Sequence, residues 1–126
     1  MIRNNKWSLL SVLLILYLSL ANADSFNRMQ VIHFAGIDKV VHFCMYSFLT
    51  GVMLFENRKR ILSVSSLILL AAVPLVLGAL LEVLQSLLTT TRTGSFTDFL
   101  ANAAGISFSV IVFLLFRKKK EGRLLI

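Results

Sequence analysis

The sequence predicts an all-α polytopic membrane protein, a compact bundle of four transmembrane helices with both termini cytoplasmic. Three observations predict it. Of 126 residues, 57% are hydrophobic and 15% charged, with a mean hydropathy of +0.83. The apolar residues lie in long runs and do not alternate with polar ones, which is the pattern of membrane spans and not of a water-soluble core. The charged residues gather mostly at the ends of these runs. Such a chain is too apolar to be disordered and too short for two globular domains, so residues 1–126 read as one membrane domain.

The first run covers about residues 7–23, with Arg3 and Lys6 before it. Ala21 and Ala23, ahead of Asp24, make the A-x-A pattern of signal peptidase, so the run reads either as a cleaved signal peptide or as a retained helix. At about 17 residues it is at the short end of what crosses a bilayer. The four-helix expectation takes it as retained. Residues 24–37 form a polar loop in which His33 reads as a surface residue. The second helix covers about residues 38–55 and ends in Glu56, Asn57, Arg58, Lys59 and Arg60. The third covers about residues 61–88 and contains the sole proline, Pro74, which predicts a kink. The loop TTTRTGSFT follows, with Ser95 or Thr97 placed to cap the next helix. The fourth helix covers about residues 98–116, before a basic tail at 117–126.

The net charge of +7 is read first as topology, and no nucleic-acid partner is expected. With the amino terminus inside, all 13 basic residues except Arg28, Lys39 and Arg92 fall in cytoplasmic segments. The expected location is therefore the cytoplasmic membrane. The single cysteine, Cys44, excludes an internal disulfide and reads as a buried small hydrophobe.

A few polar residues remain near the outer ends of the last three spans, where a charged group is costly unless paired or wet. On the second helix, Asp38, His42 and Tyr46 recur every four residues and share a face within about 100°, with Lys39 adjacent. On the third, Gly78, Glu82, Gln85 and Thr89 fall within about 60°. On the fourth, Asp98, Asn102, Gly105 and Ser109 do the same within about 60°. Arg92 is the lone strong cation of the intervening loop. Facing one another, these stripes form an outward-open polar pocket. His42, Glu82 and Asp98 are the candidate acid–base residues. Asp38, Lys39, Tyr46, Gln85, Arg92 and Asn102 are the candidate binding residues. Gly78 and Gly105 let the helices approach beneath them. No metal ligand set and no cofactor motif is read from the spacing.

The segments DKVVHFCMYSFLTGVMLF, LLEVLQSLL and TRTGSFTDFLANAAGI resemble the three signature segments of the VanZ-like family. These are small bacterial membrane proteins named for an accessory teicoplanin-resistance protein. The matching residues are Asp38, Lys39, His42, Tyr46, Glu82, Gln85, Arg92, Asp98, Asn102 and Gly105, so the resemblance covers nearly the whole chain. Family members often carry a proline after the first helix, whereas this chain has Ala21 and Asn22. The resemblance implies a bacterial cell-envelope role, including antibiotic resistance of the teicoplanin type, but supplies no reaction. Three readings stay open: an enzyme acting on a lipid or cell-wall precursor headgroup, a non-enzymatic envelope or antibiotic-binding accessory, and a small proton-coupled transporter. A second copy or an envelope protein is compatible with each as partner.

Overall fold

The computed structural model describes residues 5–20, 36–61, 63–88 and 95–123. They form four helices: α1 (Lys6–Leu20), α2 (Ile37–Asn57), α3 (Val64–Leu88) and α4 (Phe96–Arg123). No strand occurs among the described residues. Three helices, α2, α3 and α4, are long and apolar enough to cross a membrane. The described part of α1, 15 residues, accounts for about 22 Å of a hydrocarbon layer of about 30 Å. Residues 21–23, with the A-x-A pattern, lie outside the described residues, as do His33 and Arg92.

Each helix start has a local cause. Gly36 precedes α2 at φ 96°, a left-handed conformation that glycine adopts without steric cost. Ser63 Oγ accepts the Ser66 N–H at 3.2 Å ahead of α3. Ser95 caps α4, its Oγ accepting the Asp98 N–H at 3.2 Å. The start of α1 is capped from a distance: the Glu56 carboxylate accepts the N–H groups of Trp7 and Ser8, both at 3.0 Å, together with the Ser8 hydroxyl. An anion thus meets the positive end of the α1 dipole.

These contacts fix an alternating course. Trp7, Glu56, Ile61 and Arg117 meet at one end, where Arg117 Nη1 donates to the Ile61 carbonyl at 2.7 Å. At the other end, Gln85 Nε2 donates to the Ser19 carbonyl at 2.8 Å and joins α3 to the last turn of α1. The first end carries Lys6, Arg58, Lys59, Arg60, Arg117 and Lys118 and is called the basic end below. The helix of α4 continues to Arg123, past the expected stop at Phe116. Lysine, arginine and glutamate are good helix formers, and cations suit a helix C-terminus. The α3 helix is continuous through Pro74, which is fully buried.

The most intimate contact joins α2 to α4. A Cβ built on Gly105 would overlap the Phe43 carbonyl oxygen and touch Ser47 N at 3.0 Å. One turn on, Ser109 Oγ donates to the Ser47 carbonyl at 2.6 Å, which leaves the Ser47 hydroxyl to donate to Ser109 Oγ at 3.0 Å. Phe43 and Phe108 pack with ring centroids 5.7 Å apart. The core gathers Ile15, Tyr46, Leu49, Met53, Leu81 and Ile106, and a second cluster of Leu54, Ile61 and Leu67 lies toward the basic end.

On α1 the usual polarity is reversed: Ser8, Ser11, Ile15 and Ser19 are buried, while Leu9, Leu10, Leu13 and Leu14 face outward. Small hydroxyl residues inside and leucines outside are what a helix packed in lipid requires. Cys44, expected to be buried, is exposed. It lies on the side of α2 away from His42 and Tyr46, among exposed Val40, Val41 and Phe48. An apolar surround outside the bundle removes the need to bury it within.

Gly105→Ala should destabilise the bundle by about 1–3 kcal/mol, because backbone and not a flexible side chain fills the space. Gly51→Ala, whose new Cβ would meet only Ser109 Oγ at 3.8 Å, should be nearly neutral. Thermal unfolding followed by circular dichroism in detergent checks the contrast; equal stability of the two variants would remove the close approach as the reason for Gly105.

Candidate functional site

At the end opposite the basic one, α2 begins, α3 ends and α4 begins. Each contributes one polar stripe. His42 lies in the second turn of α2 and Asn102 in the second turn of α4, and the close approach at Gly105 brings the two together. His42 Nδ1 is 3.0 Å from Asn102 Oδ1. The same ring nitrogen is 3.6 Å from Glu82 Oε1 on α3. The other oxygen of Glu82, Oε2, accepts the Ser95 N–H at 3.1 Å, so the carboxylate sits against the N-terminus of α4. Lys39 Nζ is 3.7 Å from Asp98 Oδ1.

Burial grades this cluster. His42, Asp98 and Asn102 are buried, Asn102 completely, while the Lys39 side chain is half exposed. The lysine thus marks the wet edge and Asn102 the floor. Tyr46 is also fully buried, and its ring packs on Gly78: a Cβ there would lie 3.2–3.3 Å from Tyr46 ring carbons and 3.1 Å from Asn102 Nδ2. Asp98 Oδ1 is buried with the Lys39 ammonium as its ion-pair partner and no hydrogen bond among the described residues.

Nδ1 of His42 faces oxygen acceptors from both Asn102 and Glu82, so in the neutral ring the proton belongs on Nδ1 and the lone pair on Nε2. A histidine held in this way can take a proton at Nε2 and share the resulting charge with Glu82. Donor atoms of Asp38, His42 and Asp98 also lie within 4.8 Å of one another, a spacing and donor set able to hold a divalent cation. Sequence spacing gave no such set, since Asp98 lies far along the chain from the pair on α2.

Of the sequence-predicted residues, Asp38, Lys39, His42, Glu82, Asp98 and Asn102 come together at this end. Gln85 is buried and spends its amide on the Ser19 carbonyl, which makes it a strut between α3 and α1. Arg92 and Thr89 lie outside the described residues. The backbone N–H of Ser95, a partner of Glu82, was not legible as such, because hydroxyl type suggests a cap and says nothing of what its own N–H meets.

The geometry predicts that ¹⁵N NMR of histidine-labelled protein, at a pH where His42 is neutral, shows the Nδ1-protonated tautomer. Asn102→Ala should let the ring populate the Nε2-protonated form. A wild-type ring already protonated on Nε2 would remove Asn102 as the residue that fixes it.

Comparison with known proteins finds no family model, no curated protein and no solved structure that matches this chain.

Proposed function

We propose that the protein is a VanZ-like, four-span protein of the bacterial cytoplasmic membrane. Its polar cluster faces outward and binds and acts on the headgroup of a membrane lipid or a lipid-linked cell-wall precursor. The observation that carries the reading is the convergence of His42, Glu82, Asp98 and Asn102, from three helices, at the end of the bundle opposite the basic residues. The positive-inside rule assigns that basic end to the cytoplasm. A cluster at the other end then meets the outer headgroup layer, and both termini lie inside.

In this reading Lys39, half exposed at the rim, attracts the anionic part of the headgroup. His42 exchanges a proton with it through Nε2. Glu82 and Asn102 hold the ring and stabilise its charged form, a division of labour that suits hydrolysis or group transfer. The resemblance of the three signature segments supplies the biological direction, protection against glycopeptides of the teicoplanin type.

In sensitised cells with matched expression, His42→Ala and Glu82→Gln should each abolish protection, since acid–base groups contribute about 10²–10⁴ in rate. Mass spectrometry should show altered lipid-linked precursors with the wild type and not with either variant. Protection retained in both variants would end the catalytic reading. Protection lost with no change in the precursors, together with direct ligand binding by purified protein, would favour a binding accessory.

Orientation is checked in a Cys44→Ser background. A membrane-impermeant maleimide added outside should label Arg92→Cys and leave Lys118→Cys unlabelled; the reverse pattern would invert the topology.

A further inference from the structure

A second feature lies at the basic end, far from the polar cluster. Between α1 and α2 runs an open apolar groove of about 670 Å³. Its walls are Trp7, Leu10 and Leu14 of α1 and Phe48, Val52 and Phe55 of α2. From Trp7 to Leu14 it extends about 10 Å along the helices at the helical rise. Trp7, Phe48 and Phe55 are each more than half exposed, so the described residues do not cover it.

The end of the groove is cationic. Lys6 Nζ sits 5.5 Å from the centroid of the Trp7 ring, and Arg58 Cζ sits 4.0 Å from that of Phe55. These contacts tether both cations to wall residues. Glu56, the one acid at the groove, turns its carboxylate to the N–H groups of Trp7 and Ser8 and to the Ser8 hydroxyl. Its charge is shared between the start of α1 and the nearby Lys6 ammonium, so the two cations and this one acid leave a net positive charge to meet an anion.

We infer that this groove is a binding site for an anionic phospholipid, the acyl chain lying between Leu10, Leu14, Phe48 and Val52 and the phosphate between Lys6 and Arg58. The match is one of shape and of charge: an apolar slot along the bundle whose wall residues Trp7 and Phe55 each carry a cation is complementary to a lipid and to neither half of it alone. A zwitterionic lipid offers the same chain, but its own ammonium offsets the phosphate. A second copy of this chain would bring cations against cations at that end. The site does not depend on the reading of the polar cluster.

The protein contains one tryptophan, and it lines the groove. In nanodiscs of phosphatidylcholine, Trp7 fluorescence is compared after adding phosphatidylglycerol or phosphatidylcholine with brominated chains at equal mole fraction. The anionic bromolipid should quench more strongly, matching a local enrichment of about fivefold, as one net positive charge near the surface confers. The double variant Lys6→Gln/Arg58→Gln should quench equally with both lipids while keeping wild-type helicity. Val52→Phe, which fills the groove, should weaken quenching by either lipid. Equal quenching of the wild type by both lipids overturns the proposal without recourse to any variant. So does a preference that survives the double neutralisation. Trp7 shielded from both lipids, with a dimer seen by mass photometry, would assign the groove to a second copy instead.

Discussion

The contact of α4 with α2 at Gly105 is the constraint on which the rest of the molecule depends. A glycine there lets one helix backbone rest on the carbonyl of Phe43, closer than any side chain would allow. Helices in an apolar medium gain little from burying apolar surface against each other, so close packing and interhelical hydrogen bonds must supply the attraction. Both are present along this seam. Ser47 and Ser109 exchange bonds on one side of Gly105, and His42 and Asn102 meet on the other. Moving the backbones apart by the width of one methyl group would stretch all of them together. The candidate site therefore rests on a packing residue that touches none of its chemistry.

The third helix is joined to this pair by polar bonds as much as by packing. Glu82 approaches His42 with one oxygen and the first N–H of the α4 cap with the other. It thus satisfies an orphan donor of α4 and places a negative charge beside the histidine. Gly78, one turn earlier on α3, clears the space in which Tyr46 and Asn102 meet that helix. Gln85, one turn later, fastens α1. A single stripe of α3 therefore performs three separate tasks within a few turns, and only the middle one bears on chemistry.

Much of this was legible because helical periodicity is a local property. The stripe of Asp38, His42 and Tyr46, and that of Asp98, Asn102 and Gly105, can be read by counting residues, and the apolar runs between them report three helices of spanning length. Partners across helices are not local. Counting places Glu56 in a charged cluster after the second helix, and nothing near it in sequence announces that it caps α1. Gln85 shares a face with Glu82, yet the turn between them aims it at a different neighbour. Cys44 is misread for another reason. Burial rules drawn from soluble proteins place small hydrophobes inside, while here many apolar side chains, Cys44 among them, face outward, and on α1 serines take the inner side. The helical stretch beyond Phe116 escapes a hydropathy reading because charge ends an apolar run without ending a helix.

The charge distribution has a structural side as well as a topological one. Contacts between α2 and α4 advance in the same direction along both chains, from His42 with Asn102 through Ser47 with Ser109, so the most closely packed helices are parallel. Parallel helices at short range set like ends of their dipoles side by side, which opposes their association. Asp38 and Asp98 occupy the first turns of these two helices, and Glu82 reaches the same end from α3. Arg58, Lys59 and Arg60 follow the end of α2, and Arg117 and Lys118 lie toward the end of α4. Acids thus meet the positive ends and cations the negative ends. The same arrangement places carboxylates next to a histidine at one end and cations next to an apolar groove at the other. The asymmetry that compensates a parallel helix pair is therefore also the source of two chemically different surfaces, and neither is visible in a net charge of +7.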